Sequence, residues 1–316
     1  MSPPLHYSYG SSVIRSTLAL PALPAAPAGS AAHYIIDRTP LVCPGDVHWR
    51  HHWRDGDDVV LSLAQQGSDY WLRLPESADF LFQPEAGRIL VAADATADDN
   101  TLEHLLLDQI LPRLLAHRGH LVLHASAVSL GGRQVLFLGN SGWGKSTLAG
   151  LLQQSGYTVH SDDCVQLSVA DGRHQALPTY PSLRLYPDSV DTLFPGSIST
   201  TPVASYSDKL RVPMPLRGST GAVPLVALFV LGDPSEAGPS VAISHLRPSE
   251  ACQSLIGQCF RFDLGDRGGN ARHLAQCAAL VNDVPVFRLD YPRDFSKSAG
   301  LIEAINLHFS SLPTAP

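Results

Sequence analysis

Gly139-Asn140-Ser141-Gly142-Trp143-Gly144-Lys145-Ser146 is the stretch whose reading decides the fold. It has the pattern Gly, four residues, Gly-Lys-Ser/Thr, in which tight glycine turns point backbone N–H groups inward onto phosphate oxygens. On this reading Lys145 reaches the β and γ phosphates of a nucleotide, the Ser146 hydroxyl sits on Mg2+, and Thr147 continues the cradle. The flanks agree. Upstream, Gln134-Val135-Leu136-Phe137-Leu138 is a short apolar run of strand formers, the pattern of a strand buried on both faces. Downstream, residues 146–155 read as a helix with Leu148, Leu151 and Leu152 on one face and Gly156 as its stop. Strand, glycine loop and helix follow in the order a phosphate site requires, with the helix N-terminus toward the anion. A ligand-free glycine turn is the competing reading.

The next strand, Tyr157-Thr158-Val159-His160-Ser161, runs into Asp162-Asp163. A strand reached through one helix is expected to lie parallel to the first, which opens both carboxyl ends onto the edge where ligands bind. Two carboxylates then face the triphosphate loop. One takes the proton of an attacking hydroxyl and the other, with Ser146, holds magnesium; the sequence does not separate the two, and we take Asp162 provisionally as the base and Asp163 as the metal ligand. Two like charges this close also call for a cation. The alternative is a solvated acidic turn after an edge strand.

Composition narrows the partners. The 316 residues carry a net charge of −7, which disfavours nucleic acid or an anionic membrane and suits a peptide or small-protein acceptor. Five widely spaced cysteines lack the paired short spacings of a zinc site and read as reduced thiols, placing the chain in the cytoplasm. Residues 14–32 are alanine-rich and follow Arg15, but Pro21, Pro24 and Pro27 interrupt them; they read as a strand and a linker rather than a signal peptide. No apolar stretch is long enough to span a membrane.

Three regions are expected: a β-rich unit over 1–98, a connecting helix over 99–118, and a catalytic unit over 119–316. In the first, strands are read at 7–20, 32–36, 59–63 and 70–74, with a hairpin over 80–92 turning at Ala86-Gly87. The run His48-Trp49-Arg50-His51-His52-Trp53-Arg54 is open to three readings: metal ligands, a grip on a peptide or phosphorylated product, or a surface hairpin with half-buried tryptophans. Asp98-Asp99-Asn100-Thr101 forms an N-cap cluster before a helix over 102–116, with Gly119 ending it. Residues 121–130 read as one strand, turning at Gly131-Gly132, with His124 in its apolar half, where a histidine is more often a core residue than a functional one.

With these motifs in view, the stretch 121–165 resembles the catalytic domain of the bacterial HPr kinase/phosphorylase family. A His-Ala strand, a two-residue turn, the phosphate loop, a short helix and a strand ending in Asp-Asp occur in that family's order. The resemblance implies an α/β fold, a P-loop kinase core of the HPr kinase/PEP carboxykinase-like type with a smaller β-rich N-terminal domain. It implies that His124 lines the phosphate pocket, that Gly139 to Ser146 hold ATP, and that Asp162 and Asp163 share the roles of base and metal ligand. Relatives include kinases of lasso-peptide gene clusters, which phosphorylate a serine of a precursor peptide. Tyr7-Ser8-Tyr9-Gly10 and Ile14-Arg15-Ser16 look closer to such relatives than to the enzyme acting on HPr. Two departures point the same way: Asn140 stands where an acidic residue is usual, and the Glu-Ile-Arg-Gly segment is replaced by Ser182-Leu183-Arg184-Leu185.

Beyond the core motif, strands are read at 181–185 and 225–231 and a short helix at 187–193, with Arg184 either contacting phosphate or pairing on the surface. A mobile loop is expected over 195–206. After it, Lys209 and Arg211 lie two residues apart on one strand face, where a cation can stabilise charge on a transferring phosphoryl group. Helices at 249–257 and 272–281, a strand at 285–289 and a helix at 295–307 complete the reading. The function expected is an ATP-dependent serine kinase acting on a peptide or small protein, such as a precursor peptide or an HPr-like protein. Its rivals are a small-molecule hydroxyl kinase and a nucleotide-gated binding module without chemistry. Oligomeric state is left open, a homo-oligomer included.

Overall fold

The computed structural model describes residues 5–196, 198–215 and 222–312. Ser197, inside the loop read at 195–206, lies outside the described residues.

The chain opens with strands β1 (Leu5–Tyr9), β2 (Ser12–Ser16), β3 (Tyr34–Arg38), β4 (Trp49–Asp55), β5 (Asp58–Gln66), β6 (Asp69–Leu74), β7 (Ala78–Gln83) and β8 (Arg88–Ala93). They form one sheet in the order β1-β2-β3-β8-β7-β6-β5-β4. Residues 17–33, without strand or helix, cross from β2 to β3, and Leu18, Leu20 and Leu23 are buried on the way. The His48–Arg54 run becomes edge strand β4, with Trp53 half-buried against the core and the Arg113 guanidinium 5.2 Å from its ring. This is the surface-hairpin reading.

The Asp98 side chain caps helix α1 (Asp99–Leu105) by accepting from Thr101 N. The helix does not run regularly to residue 116, as its apolar spacing suggests. A π-helical turn, Leu106–Ile110, intervenes before helix α2 (Leu111–His117). Pro112 is the physical reason we assign: it lacks an N–H and its ring crowds the carbonyl four residues back, so the backbone widens there. The wide turn carries Asp108 into the interior, 3% exposed. Leu102, Leu105, Leu106, Leu111 and Leu115 pack into the same core as Tyr34, Phe80 and Phe82 of the first sheet, and Val122, Cys164, Tyr180 and Phe262 join it from later in the chain.

Strands β9 (Leu121–Leu123), β10 (Ala125–Leu130) and β11 (Arg133–Leu138) follow, then helix α3 (Lys145–Gln154) and strands β12 (Thr158–Ser161), β13 (Val165–Ala170), β14 (Arg173–Leu177) and β15 (Ser182–Leu185). The single strand expected over 121–130 breaks at His124. Its first part pairs with β13 and its second with β11 and β12, while the His124 N–H donates to Gln258 O at 2.8 Å. Helix α4 (Pro187–Leu193) leads to β16 (Thr201–Ala204), β17 (Ser207–Pro213) and β18 (Val223–Leu231). The loop expected over 195–206 thus contains a strand, which pairs with β17 in the three-stranded sheet β15-β17-β16. The chain ends with β19 (Ala242–His245), α5 (Pro248–Gln258), α6 (Arg267–Asp283), β20 (Val286–Asp290) and α7 (Ser298–Ser311).

In the large second sheet, β12 and β11 point the same way, as the crossover rule requires. They are not neighbours: β10 lies between them, antiparallel to both. The rule fixes direction and leaves adjacency free. β11, β18 and β20 are parallel neighbours, so the carboxyl ends of four strands, β12, β11, β18 and β20, open on one edge. Phe137 and Phe229 stack at 5.4 Å within the core beneath that edge. Gly150, which costs α3 about 1 kcal/mol relative to alanine, is explained by packing: a Cβ there would lie 2.8 Å from Leu193 Cδ1 on α4. No helix among the described residues is long and apolar enough to cross a membrane.

Candidate active site

The glycine loop leaves β11 at Leu138 and enters α3 at Lys145. Gly144, the N-cap, has φ +92°, and a Cβ there would also approach Tyr291 Oη to 3.1 Å. The loop is held from the exit of β20. Arg293 donates from Nε to Trp143 O at 3.0 Å, from Nη2 to Gly232 O at 3.0 Å and from Nη1 to Tyr291 O at 2.6 Å. Its guanidinium lies 3.6 Å from the Tyr291 ring centre. Sequence reading passed over Arg293. Its one signal was position, three residues beyond a strand whose carboxyl end had to share the loop's edge.

Lys145 is 5% exposed, and its Nζ donates to Gly139 O at 2.7 Å and Asn140 O at 3.1 Å. Burial brings its pKa down to about 8; Asp162 works against that shift, while Arg184 and Lys209 add to it. Ser146 and Thr147 are half-buried on the first turn of α3. Asn140 accepts from Gln258 Nε2 at 3.4 Å, and Ser141 and Gly142 are exposed.

Asp162 is fully buried. Its Oδ1 accepts from Ser126 Oγ at 2.5 Å and its Oδ2 from the Arg184 backbone N–H at 3.1 Å. Asp163 has φ +64°, a left-handed conformation that aspartate tolerates better than most side chains. That turn swings its carboxylate the other way, to His124 Nε2 at 2.9 Å and to Arg184 Nη2. Burial first, then the charges of Lys145 and Arg184, push the His124 imidazole well below its ordinary range, so it is neutral near pH 7 and donates from Nε2 to Asp163.

Arg184 extends the chain of charges inward to Asp108, which also accepts from Tyr180 Oη and lies 2.6 Å from His104 Nδ1. Burial alone would raise the Asp108 carboxyl. The Arg184 charge and the hydrogen bonds of His104 and Tyr180 outweigh it and hold the group well below the usual carboxylate range. Asp108 carried no sequence signal, since its partners Tyr180 and Arg184 lie 72 and 76 residues away.

The two cations expected on one face of β17 part company. Lys209 stays within electrostatic reach of Lys145, with its Nζ 5.4 Å from the Tyr186 ring centre. Arg211 is 4% exposed and ion-paired to Glu103 on α1, whose other oxygen accepts from Ala22 N at 2.8 Å. Its charge is met by Glu103 inside the protein, not presented beside Lys209 as the strand-face reading expects. Arg211→Met is therefore expected to cost about 3–5 kcal/mol of stability by leaving Glu103 buried and unpaired. Urea denaturation measures this, and a Glu103→Leu/Arg211→Met double variant should recover much of the loss.

No family model matches the chain, and no curated protein matches its sequence. The solved HPr(Ser) kinase/phosphatase of Coxiella burnetii is similar over 60% of this chain and 90% of its own, at 12% identity and a TM-score of 0.32. It is a weak structural neighbour, too distant to decide fold or function.

Two cavities flank the loop. On one side Gly142, Gly144, Thr147, Leu151, Tyr291 and Phe295 line a largely apolar cavity of about 210 Å³. That is below the roughly 300–1,000 Å³ of a whole-ligand site, so it suits part of a ligand. On the other side Ser141 opens on a cleft of about 1060 Å³ shared with the first sheet. Among the described residues no group of three His, Cys, Asp or Glu side chains can hold a metal alone. Magnesium carried by a nucleotide asks less, one hydroxyl and one carboxylate besides phosphate oxygens, and Ser146 with Asp162 or Asp163 are the residues that could supply them.

Proposed function

We propose that this chain is an ATP- and magnesium-dependent kinase that transfers the γ-phosphoryl group to a serine hydroxyl of a peptide or small protein. The observation that carries the reading is topological: the glycine loop with buried Lys145 and the buried Asp162 lie at the carboxyl ends of β11 and β12, two strands that point the same way. Bound with magnesium, ATP supplies the labile phosphoryl group. The loop N–H groups and Lys145 orient and neutralise it, and the apolar cavity beside Thr147 and Leu151 takes the nucleoside end.

The contacts favour exchanging the roles assigned to the two aspartates from sequence. Asp162 is wholly buried and lies within electrostatic reach of Lys145, which suits the metal side. Asp163 keeps 15% of its side chain exposed, so an incoming hydroxyl can reach it. In transfer the bond from the γ-phosphorus to its bridging oxygen breaks, the serine oxygen takes that place, its proton passes to Asp163, and ADP leaves. His124 and Arg184 hold the Asp163 carboxylate in position. A loose transition state asks little base strength of that carboxylate.

Incubation with γ-labelled ATP, magnesium and serine-containing peptides tests the reading. Label on a peptide is expected; label on a metabolite alone favours a small-molecule kinase, and tight ATP binding with no transfer favours a nucleotide-gated module. A second test follows from Lys145. Below about pH 8 its ammonium is present and triphosphate affinity is at its plateau; above that the free protein loses the proton and must regain it on binding. Affinity for ATP should then fall by up to about tenfold per pH unit. Calorimetric titrations between pH 7 and 9.5 check this, and Lys145→Met should abolish the fall.

A further inference from the structure

The cleft on the Ser141 side is lined mainly by the first sheet and its connections, with Ser141 as the contribution of the phosphate loop, and it gives that sheet a task. It is lined by His104, bonded to Asp108, which pairs with the Arg184 that also holds Asp163, together with Tyr206 at the β16–β17 turn. Thr101 on α1 ties that turn down, its Oγ1 accepting from Ser205 N at 2.9 Å. The lining also bears Asp55, the last residue of edge strand β4, Glu76 and Asp94. All three are exposed, and none forms an ion pair among the described residues. No lysine or arginine lines the cleft, whereas Val60 and Tyr206 expose 45% and 59% of their surfaces.

We infer that this cleft is the acceptor site and that it takes an extended peptide segment bearing lysine or arginine beside its phosphorylated serine. The inference rests on the kinase reading and narrows its substrate class. At about 1060 Å³ the cleft is large enough to take an extended peptide segment. Charge selects the peptide, because three exposed carboxylates outside any ion pair among the described residues, in a cleft lined by no lysine or arginine and on a chain of net charge −7, attract a cationic segment and repel an acidic one. Position supplies the chemistry, since a segment lying between the β4–β5 hairpin and Tyr206 passes the loop at Ser141.

Two fluorescein-labelled serine peptides of equal length, one flanked by lysines and one by glutamates, test the proposal by anisotropy with the full chain. The lysine peptide should bind at least about tenfold more tightly, and added salt should weaken it. An Asp55→Lys/Glu76→Lys/Asp94→Lys variant, altered only at exposed positions and checked for an unchanged melting temperature, should invert the preference and leave ATP affinity as it was. Equal binding of the two peptides, or unchanged discrimination in the triple variant, overturns the acceptor-site assignment. Failure of the kinase reading has a different signature: the lysine peptide binds in the cleft but receives no label from ATP.

Discussion

Lys145→Met is expected to lower phosphoryl transfer by at least about 10²–10³-fold, the loss seen when one preorganised group stabilising transition-state charge is removed. The loss should fall on turnover and on nucleotide affinity together, because the ammonium meets the charge of the bound triphosphate and the further charge of the transferring group. The fold should survive. Methionine keeps most of the apolar stem, and removing a desolvated ammonium relieves a burial cost that offsets the lost hydrogen bonds to Gly139 O and Asn140 O. A melting temperature within a few degrees of the parent, with transfer lost, is the expected pair of results. Retained transfer would remove the loop from the mechanism.

The second large effect separates the aspartates. Asp163→Asn should cut turnover by about 10²–10⁴-fold, the range for loss of a positioned general base, with ATP affinity little changed. Asp162→Asn should instead weaken magnesium-dependent nucleotide binding, because a neutral amide is a poor ligand for a hard cation. The Asp163 variant also leaves Arg184 with only Asp108 as a charged partner, so some loss of stability accompanies the loss of turnover. Single-turnover rates at saturating ATP, with dissociation constants measured separately, keep the effects apart. The reverse pattern would restore the assignment made from sequence.

Legibility in the sequence followed the range of each interaction. The Asp98 cap, the Gly131-Gly132 turn and the strand–loop–helix unit around Lys145 depend on neighbours a few residues apart, and all were readable. Helix α1–α2 was found but its wide turn was not, although Pro112 within an apolar helical pattern was a local sign of a break. His124 was read inside an unbroken strand, since the Gln258 carbonyl that takes its N–H comes from a helix far along the chain. Asp108, Arg293 and the Glu103 partner of Arg211 depend on contacts between distant segments, which periodicity cannot reveal. The same holds for β10 inserting between β11 and β12. Direction within the sheet was predictable from handedness, whereas strand order was a matter of packing.

The central claim is that the terminal phosphates of a nucleotide rest between the 139–146 loop and Asp162. A crystal structure with a non-hydrolysable ATP analogue and magnesium measures it most directly. The account predicts β and γ phosphates within hydrogen-bonding distance of Lys145 Nζ and the loop N–H groups, with the metal ion between Ser146 Oγ and the Asp162 carboxylate. A nucleotide bound elsewhere, or phosphates in the loop with both aspartates turned away, would contradict it.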